Sequence, residues 1–130
     1  MTNVDRASEL FAEAAAVLQE ARGAAAGGRN NLALRRAQEV IELAEKAVLL
    51  WSGRAYPKNH DVGEAVVAAL ANQRKQLDTE FADWLMATST DLARKRAPAF
   101  YGEAHFDAED AAEAVAAAER IYAWAQGVMK

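Results

Sequence analysis

The sequence predicts an all-α fold: an antiparallel bundle of four long helices plus one short helix. Three observations carry this. The chain is rich in alanine, leucine, glutamate and arginine, all good helix formers, and shows no strand-like alternation of β-branched residues. Its apolar residues recur at spacings of three and four. Glycine, asparagine and aspartate punctuate the apolar stripes where helices would stop or start. At 130 residues the chain is expected to form a single domain, 1–130, that buries enough surface to fold without disulfides.

The first helix is predicted over about 3–25, with Val4, Ala7, Phe11, Ala14, Leu18, Ala21 and Ala25 as one stripe. Gly27-Gly28 stops it. The second starts after Asn30 or Asn31, either a good N-cap, and its stripe runs Leu34, Ala37, Ile41, Ala44, Val48, Trp51. Arg35, Glu39, Glu42, Glu45 and Lys46 fill the opposite side, and Gly53 ends the helix. Leu43 and Leu50 lie off the main stripe and suggest a second buried face, such as a subunit contact. The connector RAYPKNHD (54–61) follows.

A short third helix is predicted from Asp61, with Glu64 three residues later as in a capping box. A hinge near 75–78 leads to the fourth, whose inward residues are Leu77, Phe81, Trp84, Leu85, Thr88 and Leu92. Its last turns are Arg94-Lys95-Arg96, and Pro98 disfavours continuation or kinks it. An aromatic linker, PAFYGEAHF (98–106), precedes a fifth helix starting near Asp107. That helix carries two stripes, one through Ala111, Val115, Ala118, Tyr122, Ala125 and Met129, the other through Ala114, Ala117, Ile121, Trp124 and Val128. Two stripes imply deep burial or a partner surface.

Composition excludes several chemistries. With no cysteine there is no disulfide, thiolate nucleophile or Cys-ligated zinc, which fits a reducing compartment. MTNVDRASEL lacks a basic segment followed by an apolar run, so no signal peptide is expected, and no apolar run is long enough to span a membrane. A cytoplasmic protein is the expectation. The net charge of −4 works against long-range attraction of nucleic acid, yet cations cluster locally at 29–36, 54–58 and 94–96. No metal site or cofactor is expected: His60 and His105 lack partners at ligand spacing, and no Glu-x-x-His pair occurs. Ser8, Ser52 and Ser89 sit in no Gly-x-Ser-x-Gly elbow, and there is no phosphate-binding glycine loop.

Arg54 and His60 remain as the candidate catalytic pair. Metal-free RNA cleavage needs a base for the 2′-hydroxyl and a fixed cation for the phosphate. Histidine, with an ordinary pKa of ~6.5, suits the first task and arginine the second. The alternative is that His60 packs at the entry of the third helix while Arg54 and Lys58 are solvated.

Four segments in order resemble the HEPN domains (higher eukaryotes and prokaryotes nucleotide-binding). RRAQEVIELAEKAVLLWSG is similar to their signature second helix, and YPKNHDVGEAV resembles their Pro-x-Thr-His element, with Asn59 in place of threonine. ARKRAPAFYGE resembles the Ala-Phe-Tyr-Gly segment of prokaryotic members, and DAEDAAEAVAAAERIYAWA the closing helix. The resemblance spans about 28–128. It implies a helical bundle, commonly a homodimer, that contacts nucleotide or RNA and often pairs with a minimal nucleotidyltransferase in a toxin–antitoxin system. The catalytic branch of such domains cleaves RNA without metal through an Arg-x(4–6)-His motif. Arg54 and His60 fit that window, but they lie between the second and third helices rather than at the start of the last long one. At the usual place the nearest pair is Arg96 and His105, which is too widely spaced. The expected contacts to nucleotide or RNA are Lys58, Arg96 and Tyr101, beside Arg54 and His60. The alternatives are a metal-independent ribonuclease toxin using Arg54 and His60, or a protein-interaction subunit docking through Leu43, Leu50 and the second stripe of the last helix.

Overall fold

A computed structural model describes residues 2–72 and 77–130. Among these residues the chain forms α1 (Asn3–Ala26), α2 (Asn30–Trp51), α3 (Gly63–Asn72), α4 (Thr79–Tyr101) and α5 (Ala108–Val128). Helix α2 is the axis of the bundle and packs against all four others. Its Leu34, Ile41 and Val48 are buried among Val17 and Leu18 of α1, Val66 and Leu70 of α3, Leu85 and Leu92 of α4, and Ile121 of α5.

Ala14, Ala21, Ala37, Ala44 and Ala118 are fully buried, so α1, α2 and α5 approach closely with little side-chain volume between them. Aromatic pairs fill the remaining space. Phe11 stacks on Tyr122 at 4.4 Å, and Phe81 lies 5.5 Å from both Trp84 and Trp124. Thr2 and Asp5 form a capping box on α1, as do Asp107 and Asp110 on α5.

Several boundaries differ from the sequence-based expectation, each for a physical reason. Arg29, not Asn30 or Asn31, precedes α2, and it supplies no side-chain cap. The Asn31 amide is engaged elsewhere, as described below. Helix α3 starts at Gly63, two residues later than expected. Asp61 accepts a hydrogen bond from the Gly63 N–H (3.4 Å) and another from the Thr90 hydroxyl (2.7 Å), so it ties the connector to α4. Part of the expected hinge at 75–78 lies outside the described residues.

Pro98 does not end α4. The helix runs three residues further and stops at Gly102, whose φ of 70° is the left-handed cap conformation that favours glycine. The Pro98 carbonyl accepts from the N–H groups of Gly102, Glu103 and Ala104, so the missing Pro98 N–H is offset by a carbonyl that closes the helix. Arg94–Arg96 are therefore interior residues of α4, and Phe100 and Tyr101 form its last turn.

Leu50 belongs to the interior of the chain, whereas Leu43 keeps part of its surface exposed. Leu50 is buried with Ala7 and Ala47, and Leu43 is half-buried against the main core. On α5, Ala114 and Ile121 are buried, and Trp124 and Val128 pack against the same core.

Candidate functional site

One face of α2 is polar yet largely buried. Asn31, Arg35, Gln38, Glu42 and Glu45 recur at alternating spacings of four and three, which aligns them along the helix. Gln38 and Glu45 are buried and the other three half-buried, because the stripe meets α4 and the two connectors.

Asn31 clamps the linker after α4. Its Nδ2 donates to the carbonyls of Ala99 (3.2 Å) and Ala104 (2.8 Å), and its Oδ1 accepts from the Phe106 N–H (3.0 Å). The last turn of α4, with Phe100 and Tyr101, is thereby fixed beside α2. Replacing Asn31 by Ala strands these half-buried backbone groups. It is expected to destabilise the chain by about 1–3 kcal/mol, read by denaturant unfolding.

Gln38, itself buried, joins three elements. Its Oε1 accepts from the Arg96 guanidinium of α4 (2.7 Å), and its Nε2 donates to the His60 carbonyl (3.1 Å) and to Glu42 (3.1 Å). Arg96 also reaches Glu39 at 3.5 Å. Glu42 Oε1 meets His60 Nδ1 at 2.8 Å, while its Oε2 accepts from Lys46 at 2.8 Å. Burial alone would raise the Glu42 pKa. The hydrogen bonds from Lys46, His60 and Gln38, with the Lys46 charge, outweigh burial and hold Glu42 below its ordinary value. Glu42 is thus an ionised acceptor, so Nδ1 of His60 carries the proton and Nε2 is left for another partner.

These contacts shape a surface cavity of about 320 Å³ lined by Arg35, His60, Ala93, Arg96, Ala97, Phe100 and Tyr101. Arg35 lies over the Phe100 ring at 4.5 Å, and Phe100 and Tyr101 meet edge to face at 4.9 Å. Phe100 and Tyr101 remain 58% and 72% exposed, so their apolar surface is available to a ligand. Two guanidinium groups, one oriented imidazole and two exposed rings suit a ligand that combines a phosphate with a flat base.

Of the residues singled out in the sequence, His60, Arg96 and Tyr101 share this cavity. Arg54 lines a separate shallow concavity with Ser52, Gly53 and Ala55. Lys58 is exposed on the connector two residues before His60. His105 lines another concavity with Arg29 and Asn31, apart from Arg96. Arg35 and Phe100 are cavity residues that the sequence reading did not single out. The signal for Arg35 was its place on the polar stripe with Asn31 and Gln38. Among the described residues no group of three or more histidines and carboxylates is placed to hold a metal ion. No described helix is long and apolar enough to cross a membrane.

At the end of the stripe, Glu45 is completely buried, although helical spacing alone would place it on the solvated side. Its Oε2 lies 2.6 Å from the Ser89 hydroxyl, and its buried Oε1 has no hydrogen-bond partner among the described residues. Burial pushes its pKa up to about 8; the Ser89 hydrogen bond opposes this, while the Asp61 and Glu42 charges add to it. The carboxyl is therefore largely protonated at neutral pH.

The family model for the HEPN domain matches residues 7–128. The chain belongs to the HEPN domain family. Two solved structures share its fold. TT1696 from Thermus thermophilus superposes with a TM-score of 0.79 at 23% identity, covering 95% of this chain and 98% of that one. ST0689, an archaeal HEPN homologue, superposes with a TM-score of 0.71 at 23% identity and the same coverage. No curated protein matches the chain. Within this HEPN domain, the connector between α2 and α3 supplies His60 to the cavity, α2 supplies Arg35, and the C-terminal turns of α4 supply the rest of its lining.

Proposed function

We propose that this HEPN domain is a binding module for a nucleotide or single-stranded RNA, held at the cavity of Arg35, His60, Arg96, Phe100 and Tyr101. We further propose that it works with a nucleotidyltransferase-type protein as one half of a toxin–antitoxin-like pair. The observation that carries the binding reading is the convergence of two arginines with two exposed rings in one concavity. The guanidinium groups fit phosphate oxygens, and the rings fit a base. Binding of a labelled single-stranded RNA oligonucleotide, followed by fluorescence anisotropy at low salt, tests it. Saturable binding that weakens with added salt is expected. An unchanged signal at low salt, with mononucleotides also failing to compete or bind, sinks it. Co-purification with a nucleotidyltransferase-type protein tests the second part, and a chain that emerges alone from a tagged co-expression counts against it.

One observation favours a second reading, metal-independent RNA cleavage. Glu42 holds Nδ1 of His60, which leaves Nε2 for proton transfer. The arginines that share the cavity with His60 are Arg35 and Arg96, while Arg54 lines a different concavity. If the protein cuts RNA in EDTA, Arg96→Ala is expected to slow it more than Arg54→Ala. The reverse order would place the chemistry at the Arg54–His60 pair.

A further inference from the structure

The buried carboxyl of Glu45 has no role in the cavity as described, yet it lies beneath the segment that carries His60. Four features of its setting matter. It is fully buried, and its Oε1 has no donor among the described residues. Its hydrogen-bond partner among the described residues is the Ser89 hydroxyl of α4, at 2.6 Å. The first residue of α3 sits directly on this pair: a Cβ on Gly63 would come within 2.9 Å of Ser89 Oγ and 3.3 Å of Glu45 Oε2. The charged groups acting on it are Asp61 from the connector and Glu42 from its own helix, both acidic. Lys46, the adjacent cation, directs its ammonium to Glu42 at 2.8 Å, and from α4 the facing groups are the neutral Ser89 and, at Asp61, Thr90.

A neutral carboxyl suits this position and a carboxylate does not. An ionised Glu45 would need donors that the packing withholds, and it would repel Asp61. The connector meets this contact at its end, where Gly63 begins α3. It is seated on α2 through Gln38 to the His60 carbonyl and His60 to Glu42, and on α4 through Thr90 to Asp61. Asp61 directly follows His60, so displacing one carries the other.

We infer that the proton on Glu45 is a latch on the candidate site: while the carboxyl is neutral the 54–62 connector stays seated on α2, and its ionisation lifts the connector and carries His60 away from Arg96. This regulation rests on the reading of the cavity as a ligand site. It requires no chemical step other than loss of one proton from Glu45 to solvent. Ligand binding then favours the protonated form, so the two equilibria are linked.

The test follows the carboxyl and the connector separately from the ligand. In the intact protein, the 13C side-chain carboxyl signal of Glu45 is titrated alongside the amide signals of His60, Asp61 and Gly63. The three amides are expected to move with the same alkaline midpoint as Glu45, and to lose that step in Glu45→Gln. Asp61→Asn removes a repelling charge and is expected to shift the Glu45 midpoint to lower pH, which gives a second readout if Glu45→Gln fails to fold. Affinity for the labelled RNA oligonucleotide is expected to fall roughly tenfold between about pH 7 and about pH 9, and to lose this fall in Glu45→Gln. A Glu45 signal that titrates in the ordinary carboxylate range, amides that ignore it, or an alkaline fall that persists in Glu45→Gln overturns the latch. If the amides follow Glu45 but no RNA or nucleotide binds at any pH, the latch stands and the reading of the cavity is what fails.

Discussion

Unfolding free energy is expected to fall as pH rises from 4.5 toward about 8, and the substitution Glu45→Gln to remove most of that fall. In the unfolded chain Glu45 ionises around its ordinary value of 4.5; in the folded chain burial holds its proton until about 8. Between those values the folded state binds more protons than the unfolded state, so stability decreases with pH. The limiting slope is about 1.4 kcal/mol per pH unit for one fully linked proton. Above the folded value both states are ionised and the contribution levels off. Glu42 acts in the opposite sense. Its folded pKa is lowered, so it adds stability above 4.5 that is lost as pH falls through the folded value. The two glutamates, one turn apart on α2, therefore impose opposite slopes in adjoining windows. Denaturant unfolding at a series of pH values separates them. A parent protein whose stability is flat from 4.5 to 8, or a Glu45→Gln variant that keeps the parent's slope there, would falsify the assignment.

Glu45 also marks the limit of what the sequence discloses. Periodicity finds the apolar stripe of α2 because Leu34, Ala37, Ile41, Ala44 and Val48 repeat at helical spacing, and burial follows. The same logic assigns Glu45 to solvent, because a polar residue is ordinarily easier to hydrate than to bury. What reverses this is tertiary: α4 lays Ser89 against Glu45 and Arg96 against Gln38, from 44 and 58 residues away in sequence. Pro98 fails in the same way. Local rules disfavour continuation there or kink the helix, but Asn31 holds the Ala99 carbonyl and Gly102 provides the cap, so the helix runs on to Tyr101. Asp107, by contrast, was readable because its capping partner Asp110 lies three residues away. The candidate cavity was half legible for this reason. Arg96 and Tyr101 were visible as a basic run and an aromatic linker, but Arg96 meets His60 through the packing of α4 on α2, and Tyr101 joins them because α4 extends past Pro98.

The double substitution Arg35→Ala, Arg96→Ala is expected to weaken binding of single-stranded RNA by about a hundredfold or more at low salt, as two charge-assisted phosphate contacts are lost. The two arginines are held differently, which the single variants should expose. Arg96 is anchored by Gln38 and Glu39, so its guanidinium is positioned before a ligand arrives. Its removal leaves Gln38 Oε1 without that donor, and some loss of stability accompanies the loss of affinity. Arg35 rests on the exposed ring of Phe100, and Arg35→Ala is expected to lower affinity with little change in unfolding. Each loss should also make the salt dependence of binding shallower, by about one phosphate contact. Tyr101→Ala supplies the complementary result. The side chain is 72% exposed, so stability should hardly change, while loss of stacking costs about 1–3 kcal/mol of binding with the salt slope intact. Arg54→Ala, in its separate concavity, is the control and should bind as the parent does. If Arg54→Ala weakens binding and the double substitution does not, the ligand lies along the connector at Arg54 rather than between α2 and α4.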